Sequence, residues 1–128
     1  MFLGAHILLY SDKPEEDRAF FRDVLEFPAI DIGGGWLIFK MPPAEAALHP
    51  SSGDNSQAHG GRRLLGAVLY LMCDDLPAFM KKLEAKKVSF SPPEEEDWGI
   101  KTTIKLPSGG EVGLYQPTHP TALDITAY

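Results

Sequence analysis

Few side chains in this sequence can carry acid–base or ligand chemistry, and they lie far apart along the chain. His6 sits inside the apolar run FLGAHILLY at residues 2–10. Histidine changes charge in the physiological pH range, so His6 is either a general base or a hydrogen-bonded residue of a cleft. Tyr70 and Tyr115 offer ring faces for stacking and hydroxyls for hydrogen bonding, or else they simply fill a cleft. Trp98, just before Gly99, has the same two readings, ligand contact or core packing. Arg62-Arg63 would meet an anionic ligand if the polar segment around them folded over a cleft, and is a solvated pair otherwise. Cys73 is the single cysteine and precedes Asp74, whose charge raises the thiol pKa and argues against a reactive nucleophile. His59 and His119 are expected in solvent, the first in a loop and the second in a tail. Gly33-Gly34-Gly35 precedes a strand rather than a helix, so it lacks the free N–H groups and dipole that bind phosphate.

The elements that must position these groups follow from periodicity and punctuation. Residues 2–10 predict a buried strand, stopped at Ser11-Asp12. Asp12 suits a helix N-cap, with Pro14 in the first turn and Glu15 placed as in a capping box. The helix is expected from about Lys13 to Leu25, with Phe20, Phe21, Val24 and Leu25 on its apolar face. After the glycine turn, 36–40 and 45–49 predict strands separated by Pro42-Pro43. Residues 51–63 are polar and rich in Gly and Ser, a linker or flap. The pattern then restarts, with a strand at 64–72, Asp74-Asp75 at a helix start, and Leu76, Phe79, Met80 and Leu83 at helical spacing. Val88–Phe90 is extended, Pro92 through Asp97 a turn, and 98–106 and 111–116 are strands. The order repeats, strand, helix, strands, which is the mark of a duplicated module. The expected organisation is one domain at 1–118, built of modules at about 2–50 and 64–117 linked by 51–63, with a tail at 119–128.

Alternation along a strand sends every second residue to one face. Ile7 and Leu9 oppose His6, Leu8 and Tyr10; Ala67, Leu69 and Leu71 oppose Val68, Tyr70 and Met72; Val112 and Leu114 oppose Glu111, Gly113 and Tyr115. One set in each strand is aliphatic, as helix packing requires. The other mixes His, Glu, Tyr and Met, the lining of a small-molecule cleft.

Composition removes several classes. Eighteen acidic against twelve basic residues give a net charge of −6, unsuited to a nucleic-acid partner or an acidic membrane surface. The apolar run at the N-terminus stops at Tyr10, too short to span a bilayer, and no basic n-region precedes it. With one cysteine and no intramolecular disulfide, a cytoplasmic location is expected.

Over roughly residues 3–117 the chain resembles the vicinal oxygen chelate superfamily of glyoxalases, bleomycin-resistance proteins and dioxygenases. The segments that carry the likeness are HILLYSDKPEEDRAFFRDVLEF, AALHP, AVLYLMCDDLPAFMKKL and WGIKTTIKLPSGGEVGLYQP, in that order. The resemblance implies an α+β fold of two βαβββ modules, their mixed sheet curled around a cleft and their helices outside. It also implies a homodimer. Catalytic members hold a divalent metal with His and Glu on equivalent strands, and those positions fall here on His6, Ala47, Val68 and Gly113. Three of the four carry no donor atom, and a catalytic site needs about three protein ligands. No cofactor is favoured. The alternative is a divalent metal on a shifted set, His6, Glu45, His49 and Glu111.

The favoured function is binding of a small organic molecule by His6, Leu8, Tyr10, Glu45, Ala47, His49, Val68, Tyr70, Met72, Trp98, Glu111, Gly113 and Tyr115, non-catalytic or metal-independent. Its rival is an enzyme, a lyase or isomerase with His6 as catalytic residue, or an extradiol-dioxygenase-like protein with relocated ligands.

Overall fold

The structure, a computed structural model, describes residues 2–51, 53 and 56–126. Ser52, Asp54 and Asn55 of the expected linker, and the last two residues of the tail, lie outside the described residues. The second half of the chain forms a complete βαβββ module. Strand β5 (Tyr70–Met72) leads into helix α2 (Leu76–Ala85), followed by β6 (Glu94–Glu96), β7 (Gly99–Lys105) and β8 (Glu111–Pro117). They make a four-stranded sheet in the order β5-β8-β7-β6, with β5 parallel to β8 and the remaining pairs antiparallel. The crossover helix α2 is what allows the parallel pairing.

Helix α2 starts where the sequence predicts it. Asp75 is the N-cap, its carboxylate accepting a hydrogen bond from Ala78 N at 3.1 Å, with a proline in the first turn. Leu76 and Leu83 are buried. The Gln116 side-chain oxygen accepts from Leu76 N at 2.9 Å and ties the helix start to β8. On the sheet, Ile104, Val112 and Leu114 turn inward against the helices. The acidic run at 94–96, expected as a turn, is instead the edge strand β6. Lys101 on the neighbouring strand reaches Glu94 at 3.7 Å and Glu96 at 3.2 Å, which relieves the repulsion between them.

The first half is less regular. Helix α1 spans Pro14–Asp23, ending before the expected Leu25, and the chain turns through Glu26 at φ 61°. Its N-cap is Lys13 with no side-chain cap, so Asp12 does not play the expected part. Ser11 acts beside it. Its hydroxyl accepts from Lys13 N at 3.0 Å and donates to Asp17 at 2.6 Å. Strands β1 (Ala29–Asp31) and β2 (Leu37–Phe39) form an antiparallel hairpin, turned by Gly33, Gly34 and Gly35, all at positive φ. Phe20 and Phe21 of α1 join Leu76, Leu83, Ile104, Val112 and Leu114 in one core, so both helices pack against the same sheet face.

Three expected strands differ. Residues 2–10 and 45–49 form no strand, and the one expected at 64–72 is reduced to β5 at its end. A strand exists only where its N–H and C=O groups find a neighbouring ladder. Residues 2–10 run exposed, with Leu3 fully so. The expected linker, in turn, contains a short hairpin, β3 (Gln57–His59) with β4 (Arg62–Leu64), turned at Gly60-Gly61. Among the described residues no helix is long and apolar enough to cross a membrane.

Candidate functional site

Strand β8 divides its side chains cleanly. Val112 and Leu114 enter the core, while Gly113 and Tyr115 occupy the other face. The parallel register sets Tyr70 opposite Gly113 and Met72 opposite Tyr115, so those four share that face. Lys101 and Thr103 of β7 join them, opposite Tyr115 and Gly113. Trp98 stands at the entry to β7, before Gly99 at φ 154°. A Cβ at Gly99 would run into the carbonyl of Gln116, so glycine is what lets the chain close against β8 beside Trp98.

These placements gather three rings into an aromatic wall. Tyr70 meets Trp98 edge-on at 6.0 Å and Tyr115 at 5.6 Å, and Trp98 meets Tyr115 at 5.1 Å. Such perpendicular contacts place positive ring edges on negative faces. Tyr70 and Trp98 remain 38% and 37% exposed, so part of the wall faces solvent. Lys101 Nζ lies 5.7 Å from the Trp98 ring centre. The hydrogen bond from Lys101 to Glu96 holds its ammonium above its ordinary pKa.

Gly113 is the hinge of this arrangement. Its own backbone allows any residue, but a Cβ there would collide with the Tyr70 ring. Gly113 is therefore the seat over which Tyr70 lies.

His119 belongs to the site as well, which corrects the expectation of a solvated tail histidine. Its ring stacks on Tyr115 with centres 5.9 Å apart and planes 24° apart. Nδ1 lies 2.7 Å from the Pro120 carbonyl and must donate to it, which leaves Nε2 to accept from the Tyr115 hydroxyl at 3.1 Å. The rest of the segment is fastened too. Thr118 N donates to Trp98 O at 3.0 Å, Thr118 Oγ1 donates to Asp97 O at 3.2 Å, and Ala122 N donates to the Glu45 carboxylate at 2.9 Å. Burial, and then the charge of Glu45, push the Tyr115 hydroxyl above its usual pKa and keep it a donor. Pro117 and Pro120, which stiffen the chain on either side of His119, were the signal in the sequence that this stretch is not free.

Other candidates lie apart from the wall. His6, Ala47 and His49 are exposed, and His49 Nδ1 pairs with the adjacent Pro50 carbonyl at 2.8 Å. Leu8 and Val68 are exposed as well. The Tyr10 hydroxyl is hydrogen-bonded to His59, whose ring it meets edge-on at 6.0 Å. His59 is thus engaged rather than loose. Glu111 accepts from Thr103 Oγ1 at 3.0 Å near the far end of β8. Of the shifted set His6, Glu45, His49 and Glu111, Glu45 is bound to Ala122 and its charge bears on Tyr115, and Glu111 is bound to Thr103. Among the described residues no group of three His, Cys, Asp or Glu side chains is placed to hold a metal. The positions implied by the resemblance fare no better. Ala47, Val68 and Gly113 have no donor atom, and the Tyr70 ring occupies the space a longer side chain at 113 would need. The residues present do not fit a catalytic metal.

A cavity of about 560 Å³ opens at the ends of β5 and β8, lined by none of the three rings of the wall. Phe27, Met72, Cys73, Phe79 and Leu123 line it. Burial, with Asp74 adding its charge, pushes the Cys73 thiol up, so this wall carries no activated nucleophile.

The fold has solved counterparts. TnmS3, an antibiotic binding protein from Streptomyces sp. CB03234, matches at 20% identity and a TM-score of 0.60, covering 92% of this chain and all of its own. Lactoylglutathione lyase from Agrobacterium tumefaciens matches at 19% identity and a TM-score of 0.59, covering 91% of this chain and 95% of its own. A glyoxalase/bleomycin resistance protein from the same Streptomyces strain matches at 20% identity and a TM-score of 0.53, over 83% of this chain and 93% of its own. No curated protein matches the chain at a significant level. At such identities the likeness speaks for the fold alone. The family model of the Glyoxalase/Bleomycin resistance protein/Dioxygenase superfamily matches residues 5–112, most of the length, and the chain belongs to that superfamily.

Proposed function

We propose that this protein binds a small organic molecule on the Tyr70–Trp98–Tyr115 wall, without a resident metal and without turning the ligand over. The mutually perpendicular, partly exposed rings carry the proposal. Aromatic side chains with a few placed polar groups are the usual lining of ligand sites. Catalysis needs at least two titratable groups within reach of one substrate position. In this structure both nitrogens of His119 are held by Pro120 and Tyr115 and the Glu45 carboxylate takes the Ala122 amide, so among the described residues no pair of free titratable groups converges on the wall. The antibiotic-binding relative TnmS3 lends the same direction to the reading.

The working form on this proposal is a homodimer. Among the described residues, the exposed apolar segment at 2–10 and the outer edge of β5 have no ladder partner, and a second copy would supply one.

The test is calorimetric titration of planar aromatic compounds into the wild-type protein and a Trp98→Ala variant. A retained compound should lose about tenfold in affinity with Trp98→Ala, as expected for one lost ring contact. Unchanged affinity would place the ligand elsewhere, the 560 Å³ cavity first.

A further inference from the structure

The way His119 is held suggests what the wall accepts. A ring that stacks at 24° on Tyr115 while its Nε2 receives the Tyr115 hydroxyl makes the two contacts expected of a flat heteroaromatic ligand. Its partners are otherwise covered. Tyr115 is 8% exposed, and its second neighbours, Tyr70 and Trp98, meet it with their rings edge-on. The segment carrying His119 is fixed at one end by Thr118 on Trp98 and Asp97, and at the other by Ala122 on Glu45. Between those anchors, the Pro120 carbonyl fixes the tautomer that makes Nε2 an acceptor.

We infer that His119 is a built-in occupant of the aromatic wall, and that the ligand is a planar ring system bearing an acceptor atom that displaces it and takes over the Tyr115 hydroxyl. This rests on the binding function proposed above and names its ligand class and its regulation. The exchange conserves both contacts, since stacking replaces stacking and one acceptor replaces another. A saturated or donor-only ligand leaves the hydroxyl without an acceptor and competes poorly. Affinity is therefore set by the fraction of molecules in which the segment has already swung away. Glu45 limits that fraction through Ala122, and it also disfavours acidic ligands, because its charge already bears on the Tyr115 hydroxyl.

Coumarin, a flat bicycle with a carbonyl acceptor, is the probe, titrated into wild-type, His119→Ala and Trp98→Ala proteins by calorimetry. Removing the occupant should tighten coumarin binding roughly three- to tenfold in His119→Ala. In wild-type protein, the His119 ring-proton NMR signals should lose their ring-current shift as coumarin saturates the site. That second readout needs no variant. Affinity that falls or stays level in His119→Ala, with His119 signals unmoved by coumarin, overturns the inference. If affinity also ignores Trp98→Ala, the binding site itself is misplaced; if it responds to Trp98 but not to His119, only the occupant idea fails. Absence of coumarin binding to all three proteins overturns the ligand class.

Discussion

At the residue scale the site turns on a pair, Gly113 and Tyr70. Where catalytic relatives by resemblance carry a carboxylate, this chain has no side chain, and an aromatic ring from the adjacent strand fills the space. The two positions are coupled by volume. Gly113→Ala forces the Tyr70 ring off its seat, an overpacking change expected to cost about 1–3 kcal/mol, read by thermal or urea unfolding. The same substitution made with Tyr70→Ala should cost much less, because the colliding ring is gone. A double-mutant cycle with strong non-additivity is the expected result, and additive losses would mean that the two residues do not share the space. A donor at 113 alone does not restore a metal site, since positions 47 and 68 would still lack ligands.

Elements come next, and here one buried carboxylate joins the halves of the chain. Asp17, on α1, is 8% exposed and accepts from the Ser11 hydroxyl at 2.6 Å and from Ser108 N at 3.0 Å in the β7–β8 turn. Asp17→Asn keeps the shape but replaces charge-assisted hydrogen bonds, so a loss of about 1–3 kcal/mol in unfolding free energy is expected. Much of this scale could be read from the sequence. The helix at 76–85 showed itself through Leu76, Phe79, Met80 and Leu83, and the face of β8 through strict alternation. The strand expected at 2–10 could not be checked by the same reasoning, because an apolar run reports burial while a ladder depends on a neighbour elsewhere. β6 was hidden by its three glutamates, which suit a strand only because Lys101 lies across from them. His119 was misread because its position beyond the last strand suggested a free tail, whereas its partners are local, Tyr115 four residues before it and the adjacent Pro120 carbonyl.

Taken whole, the molecule has one complete βαβββ sheet and leaves apolar side chains outside, both in the first half and just before β5. Phe2, Leu3, Leu48, Leu65 and Val68 are all at least 80% exposed, the surface that the proposed dimer would cover. Sedimentation velocity is expected to show a dimer at micromolar concentration that persists in high salt, because apolar contacts are not screened. Deleting residues 2–10 should yield monomer, and a monomeric wild-type protein would contradict the homodimer. The parallel partnership of β5 with β8 has a further consequence, for the order of events in time. β6, β7 and β8 are neighbours along the chain and can zip up locally, whereas β5 must wait until α2 and two strands have closed a long loop behind it. Tyr70 rides on β5, so the aromatic wall is expected to be completed late in folding. A bound ligand then leaves the folding rate nearly untouched and slows unfolding instead, protecting the protein as a kinetic latch.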